Sequence, residues 1–452
     1  MSLLWQTLQR HANERGYQPA LTDNHEHVTY RELLPLVRQH ADLLRQTGAD
    51  TVALAMDNSV AWVLWDLAAL YAEIALVPIP PFFTPEQARH AMAEAGAKVL
   101  ITAGSIDPLP HPQQRELPAG TAKVTFTSGT TGNPKGVCLS QAGMEQVAES
   151  ILAVLGGNIS ARHTTVLPLA VLLENVAGVY TALLGGSTIN LPSCQLTTAA
   201  PEVLCHTLQT TQAQSAILVP ELLRGVVHHC QHRQVDLSAL KFVAVGGAKV
   251  APDLIFEARA LGLPVYEGYG LSECGSVVAL NTPQHDAIGT VGQLLPHIQA
   301  RVHKDELVIQ NPALLGYTST PPHTGPFTTG DLGCFDEAGF LHINGRSKNV
   351  LITSYGRNVN PEWVESLLLA QPVIGQAIVY SDGSAHLSAL LVPAHPDVRD
   401  EDLQQAVNQT NSQLPAYAQV SNWQTVAPFT PENGLLTGNG RPRRHDILAL
   451  FA

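Results

Sequence analysis

The sequence predicts an α/β fold in which a large N-terminal domain of layered, mixed α/β sheets carries a small barrel-like part and is followed by a small α+β C-terminal domain. Three observations predict it. Helix-like and strand-like periodicities alternate from residue 29 to about 285. The pattern then changes twice, to short strands punctuated by Pro and Gly over about 285–345, and back to mixed helices and strands after Gly345 and Arg346. Finally, 452 residues exceed what one hydrophobic core usually serves.

In chain order, 29–47 spaces its leucines and valine as a helix does, 51–56 reads as a buried strand, 61–71 as an apolar helix, 74–78 as a strand, 85–95 as a helix and 98–102 as a strand. A strand-like run over 121–126 leads into a glycine-rich loop. Beyond the loop the alternation resumes, with a helix over 141–155, a strand over 164–169 and a helix over 174–184. Apolar strands at 215–219 and 241–245 end at Pro220 and at Gly246 and Gly247, where chain reversals and ligand contacts collect. Short strands follow at 299–303 and 306–310. The last part holds a hairpin-like stretch, a helix over 362–369 opened by Pro361, strands at 377–380 and 388–392, and a helix over 402–414.

Charge and cysteine usage narrow the function. A formal net charge of −13 disfavours nucleic acid or an anionic membrane as the main partner, so anionic ligands must be met by local cations. The six cysteines show neither C-x-x-C nor tight Cys/His spacing, which speaks against a disulfide frame or a zinc site and fits a reducing cytoplasm. The amphipathic N-terminus is too polar for a secretory signal, and no apolar run reaches membrane-spanning length, so a soluble, cytoplasmic protein is expected. His228, His229 and His232 read as an exposed helical face rather than a metal centre.

The glycine-rich loop is the strongest local signal. Between residues 127 and 136 the chain places the hydroxyls of Thr127, Ser128, Thr130 and Thr131, the glycines Gly129, Gly132 and Gly136, and Lys135. Glycines let backbone N–H groups face inward, hydroxyls add donors and a lysine adds a point charge, an inventory suited to a polyphosphate such as that of ATP. Because Lys135 follows Gly132 by three residues and is followed by glycine, the spacing is not that of a P-loop. A solvated Ser/Thr/Gly linker is the competing reading.

Four further elements follow in order: Tyr269, Gly270, Leu271, Ser272 and Glu273; then Thr329, Gly330 and Asp331; then Gly345, Arg346 and Lys348; then Gly356 through Glu362. With the loop, they make the chain resemble the acyl-adenylate-forming (AMP-binding) superfamily of acyl-CoA synthetases, luciferase-like enzymes and peptide-synthetase adenylation domains, over essentially its whole length. The resemblance implies an AMP-forming acid–thiol ligase. Such enzymes attack the α-phosphorus of ATP with a carboxylate, release pyrophosphate, and then let a thiol displace AMP from the acyl-adenylate. It implies phosphate binding by Thr127 to Gly132 and Lys135, an α-phosphate hydroxyl from Ser272, Mg²⁺ at Glu273, and adenosine bracketed by Tyr269 and Gly270. It also implies ribose held by Asp331 with Arg346, and adenine and acyl pockets lined by Gly246, Gly247 and Ala248. Lys348 would be the hinge between domain 1–347 and a mobile cap, 348–452, whose swing brings Tyr355, Gly356 and Arg357 to a pantetheine tunnel. ATP, Mg²⁺ and coenzyme A are the implied cofactors, with a carrier-protein phosphopantetheine as the alternative acceptor.

Three departures modify these expectations. Where the family carries its adenylation lysine, this chain has Arg441, a bulkier fork that still pairs with a carboxylate and a phosphate. It is expected to serve the first step at an altered rate, the rival being a non-catalytic acyl- or nucleotide-binding relative. Val171 stands where many members have His or an aromatic residue, so Val171, Leu172, Val219 and Gly246 suggest an apolar acyl pocket for a fatty acid, with an aryl acid second. No long insertion of the kind that would block CoA precedes the small domain, which favours CoA as acceptor, while a carrier-protein phosphopantetheine thiol would enter by the same route.

Overall fold

A computed structural model describes residues 2–110, 115–127, 135–156, 161–352, 357–381, 386–431, 433–436 and 441–451, without the side chains of Cys194 and Gln195. The alternating region forms two sheets. In the nine-stranded sheet, Pro19–Thr22, Thr188–Asn190, Arg162–Thr164, Ser215–Leu218, Phe242–Val245 and Val265–Leu271 lie parallel in that spatial order. Antiparallel strands His27–Thr29 on one side and Ser276–Leu280 and Gln293–Leu294 on the other complete it. The seven-stranded sheet has a parallel centre of Lys123–Thr127, Ala75–Pro78, Thr51–Leu54 and Val99–Ile101, flanked by Ile106–Pro108, Lys135–Leu139 and Leu314–Tyr317. Parallel strands are buried on both faces by helices, which is why they read as unbroken apolar runs.

Helices begin where capping chemistry places them. Glu32 accepts the Thr29 backbone N–H at 3.0 Å at the head of Tyr30–Gln46, and Thr84 and Gln87 exchange reciprocal bonds of 3.0 and 3.2 Å before Pro85–Glu94. Val60–Ala72 is apolar on all sides because Trp62, Val63, Leu64, Leu67 and Ala68 are all buried between layers.

Two expected elements differ. The strand expected over 164–169 stops at Thr164: Val166 and Leu167 donate their N–H groups to Glu174 Oε2 at 3.0 and 2.9 Å instead of to a neighbouring strand. The single helix expected over 174–184 is a π-helix, Leu173–Tyr180, running into a short α-helix, Thr181–Gly185. Two buried polar groups fix this π-segment. Glu174 Oε1 meets His163 Nε2 at 2.9 Å, and His163 Nδ1 meets Ser215 Oγ at 3.0 Å. One turn along, a Cβ at Gly178 would strike this His163–Glu174 pair, so glycine is required there. Beside it, Asp66 binds Lys123 at 2.7 Å, Asn175 at 2.9 Å and Tyr180 at 2.8 Å, with both charges sealed from solvent. Lys123 also donates to Asn175 Oδ1 and Tyr180 Oη.

The barrel-like part contains an antiparallel sheet of Ala300–His303, Glu306–Ile309, Phe327–Phe335 and Leu341–Arg346. Beyond it, Leu351–Ile352 and Asn358–Val359 pair as a hairpin. Ile374–Tyr380, Leu387–Pro393 and Val420–Thr425 form a three-stranded sheet. Helices Pro361–Leu369 and Asp400–Ser412 cover a core of Val364, Leu368, Leu391, Leu403 and Val407. Among described residues no helix is long and apolar enough to cross a membrane.

Candidate active site

The ends of the glycine-rich loop are fixed side by side, because Thr127 and Lys135 face each other in the antiparallel pair Lys123–Thr127 and Lys135–Leu139. Ser128, Gly129, Thr130, Thr131 and Gly132 lie outside the described residues, as do Tyr355 and Gly356. Lys135 is exposed at the start of its strand. On that strand's other edge Tyr317 lies opposite Val137, and its hydroxyl donates to Glu273 Oε1 at 3.0 Å. Burial, then the Glu273 charge, pushes the Tyr317 phenol above its ordinary pKa, which keeps it a donor. Glu273 and Ser272 are half-buried in the single turn Ser272–Cys274 that ends strand Val265–Leu271.

The same strand supplies Tyr269, whose hydroxyl donates to Asp331 Oδ2 at 2.5 Å. Asp331 Oδ1 faces Arg346 Nε at 2.7 Å, an approach set by sheet register, since the two residues are partners on adjacent strands. The Thr329 hydroxyl accepts the Asp331 N–H at 3.0 Å and donates to Leu307 at 2.9 Å, which anchors the turn at Gly330. The Asp331 side chain is 6% exposed and that of Arg346 43%. Burial pushes the Asp331 carboxyl above the usual carboxylate range; Arg346, the Tyr269 hydrogen bond and Arg441 pull it down, and Glu273 adds to the rise.

More cations stand around this centre. Partial desolvation and Arg346 hold the Lys348 ammonium below its ordinary value; Asp331 opposes them and Lys135 reinforces them. From the C-terminal part, Arg441 Nη2 donates to Gly247 O at 3.0 Å, with Glu221 also in its field. Arg346, Lys348 and Arg441 thereby act on Asp331, and Lys135 acts on Lys348 beside them, from positions spread along the chain. Such a group of cations, with one buried and one half-buried carboxylate, can stabilise negative charge developing on a bound phosphoryl group. Arg357 is exposed on the hairpin of the small domain, and Arg444 is committed within that domain to Glu365, by bonds of 2.6 and 2.7 Å.

The expected acyl-pocket residues are only partly brought together. Gly246 is buried, Gly247 and Ala248 are exposed, and Val219 adjoins Gly247, where a Cβ would come 3.7 Å from Val219 Cγ1. Leu172 belongs to a buried cluster, while Val171 is half-buried. An open groove of about 730 Å³ on the N-terminal helices, lined by Arg15, Arg31 and Arg38 among others, shares no residue with this centre. No group of three or more His, Cys, Asp or Glu residues among those described could cage a metal, and His228 and His232 adjoin on the exposed face of a helix, 4.4 Å between ring centres.

Sequence reasoning missed two participants. Tyr317 carries no motif, and its link to Glu273 exists only because a strand from far along the chain pairs beside the loop. Lys249 follows Gly247 and Ala248; a lone lysine after a glycine turn was its only signal.

The profile of the AMP-binding enzyme family matches residues 8–121 and 103–316, and that of the AMP-binding enzyme C-terminal domain matches residues 348–452. A probable CoA ligase, CCL9, of Humulus lupulus is 25% identical over 442 residues, covering 83% of this chain and 84% of its own. An oxalate–CoA ligase of Arabidopsis thaliana is 26% identical over 418 residues, covering 78% and 80%. In fold, the chain resembles the anthranilate CoA ligase AuaEII solved with anthranoyl-AMP, with a TM-score of 0.86, 18% identity and coverage of 100% and 97%.

Proposed function

The chain belongs to the AMP-binding enzyme family, and from that premise we propose that it joins a hydrophobic carboxylic acid to the thiol of coenzyme A by way of an acyl-adenylate. The observation that supports this reading most is the convergence of Tyr269, Asp331 and Arg346 with Glu273, Lys135, Lys348 and Arg441. A carboxylate is a poor electrophile, and both its activation and the later displacement of AMP need charge stabilisation more than covalent help.

In the proposed mechanism Asp331 accepts the ribose hydroxyls, while Tyr269 and Arg346 hold its carboxylate in place. Thr127 through Gly132, with Lys135, grips the β- and γ-phosphates that leave as pyrophosphate. The Ser272 hydroxyl faces the α-phosphate. Arg441, carried in by the C-terminal part, offers a planar fork to the attacking carboxylate and the α-phosphate. Glu273 fits Mg²⁺, a hard cation content with one or two carboxylates plus phosphate oxygens, and Tyr317 fixes one of its oxygens. When bound, Mg²⁺ would supply charge neutralisation on the phosphates.

On this reading the chain divides at Lys348 into a domain of 1–347 and a cap of 348–452, a division supported by where the second profile match begins. The relatives act on unlike acids, oxalate and anthranilate by their names, so the preference for a hydrophobic acid is supported by Val171, Leu172 and Val219 of this chain alone. Acid-dependent exchange of labelled pyrophosphate into ATP, run over a panel of alkyl and aryl acids, tests the proposal. Exchange with at least one hydrophobic acid is expected; nucleotide binding without exchange for any acid would leave a binding protein instead. Presenting CoA or a phosphopantetheinyl carrier protein then identifies the acceptor.

A further inference from the structure

The stretch between strand Arg162–Thr164 and the π-helix Leu173–Tyr180 carries Val171 and Leu172, and it belongs to neither large sheet. Two buried side chains hold it instead. Glu174 Oε2 accepts the N–H groups of Val166 and Leu167 at 3.0 and 2.9 Å. Asn58 serves the next pair of backbone groups: its Nδ2 donates to Leu167 O at 2.9 Å, and its Oδ1 accepts the Leu169 N–H at 2.8 Å. With a carbonyl on one side and an N–H on the other, a single orientation of the Asn58 amide satisfies both. The chain then turns, with the Val171 N–H donating to Pro168 O at 2.9 Å and the Asn175 N–H donating to Val171 O at 3.0 Å. Asn58 is 7% exposed and Glu174 is fully buried.

Topology sets this turn beside the candidate site. Arg162–Thr164, Ser215–Leu218 and Phe242–Val245 are parallel neighbours, so the chain leaving their carboxyl ends emerges along one edge of the nine-stranded sheet. Those exits are 165–172, Val219, and Gly246 with Gly247. Neighbouring strands lie about 4.8 Å apart, and Val166 packs in one cluster with Leu218 and Val245. Arg441 donates to Gly247 O at the same edge, the carboxyl edge where parallel sheets take their ligands. Asn58 comes from the other sheet, between strand Thr51–Leu54 and helix Val60–Ala72, whose cap Ser59 accepts the Trp62 N–H at 3.1 Å. Its amide therefore fixes the Val171 turn relative to both sheets.

We infer that Asn58 and Glu174 are positioning residues that set which acids the enzyme prefers, acting through the backbone of 166–172 rather than by contact with the acid. This rests on the function proposed above, in which Val171 and Leu172 wall the acyl pocket. Because side chains stand here in place of a strand ladder, removing one of them lets the wall shift while both sheets keep their pairing. A wall free to shift loses discrimination between acids of different size before it loses reaction with any one of them.

The test compares the full-length protein with its Asn58→Ala, Asn58→Asp, Glu174→Ala and Glu174→Gln variants in acid-dependent pyrophosphate exchange. The readout is the ratio of kcat/KM between the best and the poorest acid that exchange. Asn58→Ala and Glu174→Ala should each narrow this ratio about tenfold, mainly through KM for the acid, with KM for ATP unchanged. Asn58→Asp should narrow it as far as Ala does, since its second carboxylate oxygen meets the Leu167 carbonyl. Glu174→Gln, whose amide oxygen can accept both N–H groups, should restore most of the ratio. A variant that merely loses folded enzyme lowers kcat by one factor for every acid, so an unmoved ratio in both Ala variants overturns the inference. If neither Ala variant folds, Asn58→Ser, too short to span both backbone groups, carries the same readout. Should the wild-type chain exchange with no acid, the proposed function fails, and the ratio is then read from the dissociation constants of the same acids by calorimetry. A narrowed ratio there supports the inference, and an unmoved ratio or no binding of any acid overturns it.

Discussion

Lys123 and Lys135 stand on the two strands of one hairpin and inhabit opposite environments. Lys123 is 1% exposed and tied to Asp66, Asn175 and Tyr180, whereas Lys135 is exposed and lies in the field of Lys348 at the edge of the Asp331 centre. In the sealed centre a single cation faces a single carboxylate, and two neutral side chains complete the shell. In the open centre four cations from three separate stretches of chain stand around carboxylates that are themselves held by tyrosines. Burial pulls the Lys123 ammonium down, with Asp66 opposing, so its charge persists only through its partner. The contrast separates two uses of the same residue types: matched charges without access make architecture, and gathered cations with access make a place for an anionic ligand.

The largest expected effect breaks the sealed centre. Asp66→Ala leaves Lys123 buried and uncompensated and should cost about 3–5 kcal/mol in urea unfolding, while Asp66→Leu with Lys123→Met should recover most of it. Full recovery of stability in Asp66→Ala alone would show that the two centres do not differ as described. Next, Asp331→Asn should slow pyrophosphate exchange by about 10²-fold with little change in melting temperature, because its loss falls on ligand interactions rather than on packing. Smaller still, Arg441→Ala should slow exchange about tenfold, with Arg441→Lys at or above the wild-type rate; an Ala variant that exchanges normally removes Arg441 from the first step.

Glu267 is the intermediate case, buried like Asp66 but beside Lys249 at the margin of the site. Burial pushes its carboxyl up to about 8, against the pull of Lys249 and the Val250 N–H. The native state therefore binds a proton that the unfolded chain has already lost above its ordinary value of 4.5, and stability should fall as pH rises from there to about 8. The slope can reach about 1.4 kcal/mol per pH unit and should flatten in Glu267→Gln, read from melting temperature against pH. The smallest effect belongs to the surface: Asp50→Ala, which frees Lys98 from a 2.7 Å pair with both side chains well exposed, should change stability by less than about 0.5 kcal/mol.

Much of the alternating fold was legible because local signals agreed with one another. The helix Gln141–Leu155 coincides with its sequence pattern, and Ser140 caps it by accepting the Gly143 N–H at 3.1 Å. Errors arose where a distant side chain took over a backbone group. Nothing in 164–169 announces that Glu174 will claim the N–H groups of Val166 and Leu167, and β-branched, apolar residues there look like a strand either way. The site was legible where glycines and charged residues fall in short motifs, as at Asp331 and Glu273. It was illegible at Tyr317 and Lys249, whose partners lie 44 and 94 positions away and are chosen by strand pairing and tertiary packing alone.

The π-helix Leu173–Tyr180 also bears on how this protein can diversify. A π-turn holds one residue more than an α-turn needs, and each α-helical residue turns the chain by about 100°. Deleting a single residue within 173–180 would therefore regularise the segment and rotate the preceding Val171 and Leu172 by roughly that angle relative to Tyr180. Glu174 and Gly178 limit where such a deletion could fall, since one braces His163 and the other makes room for it. An insertion–deletion scan of eight positions thus offers a compact library for re-aiming the proposed acyl-pocket wall, reaching geometries that no exchange of one side chain for another can.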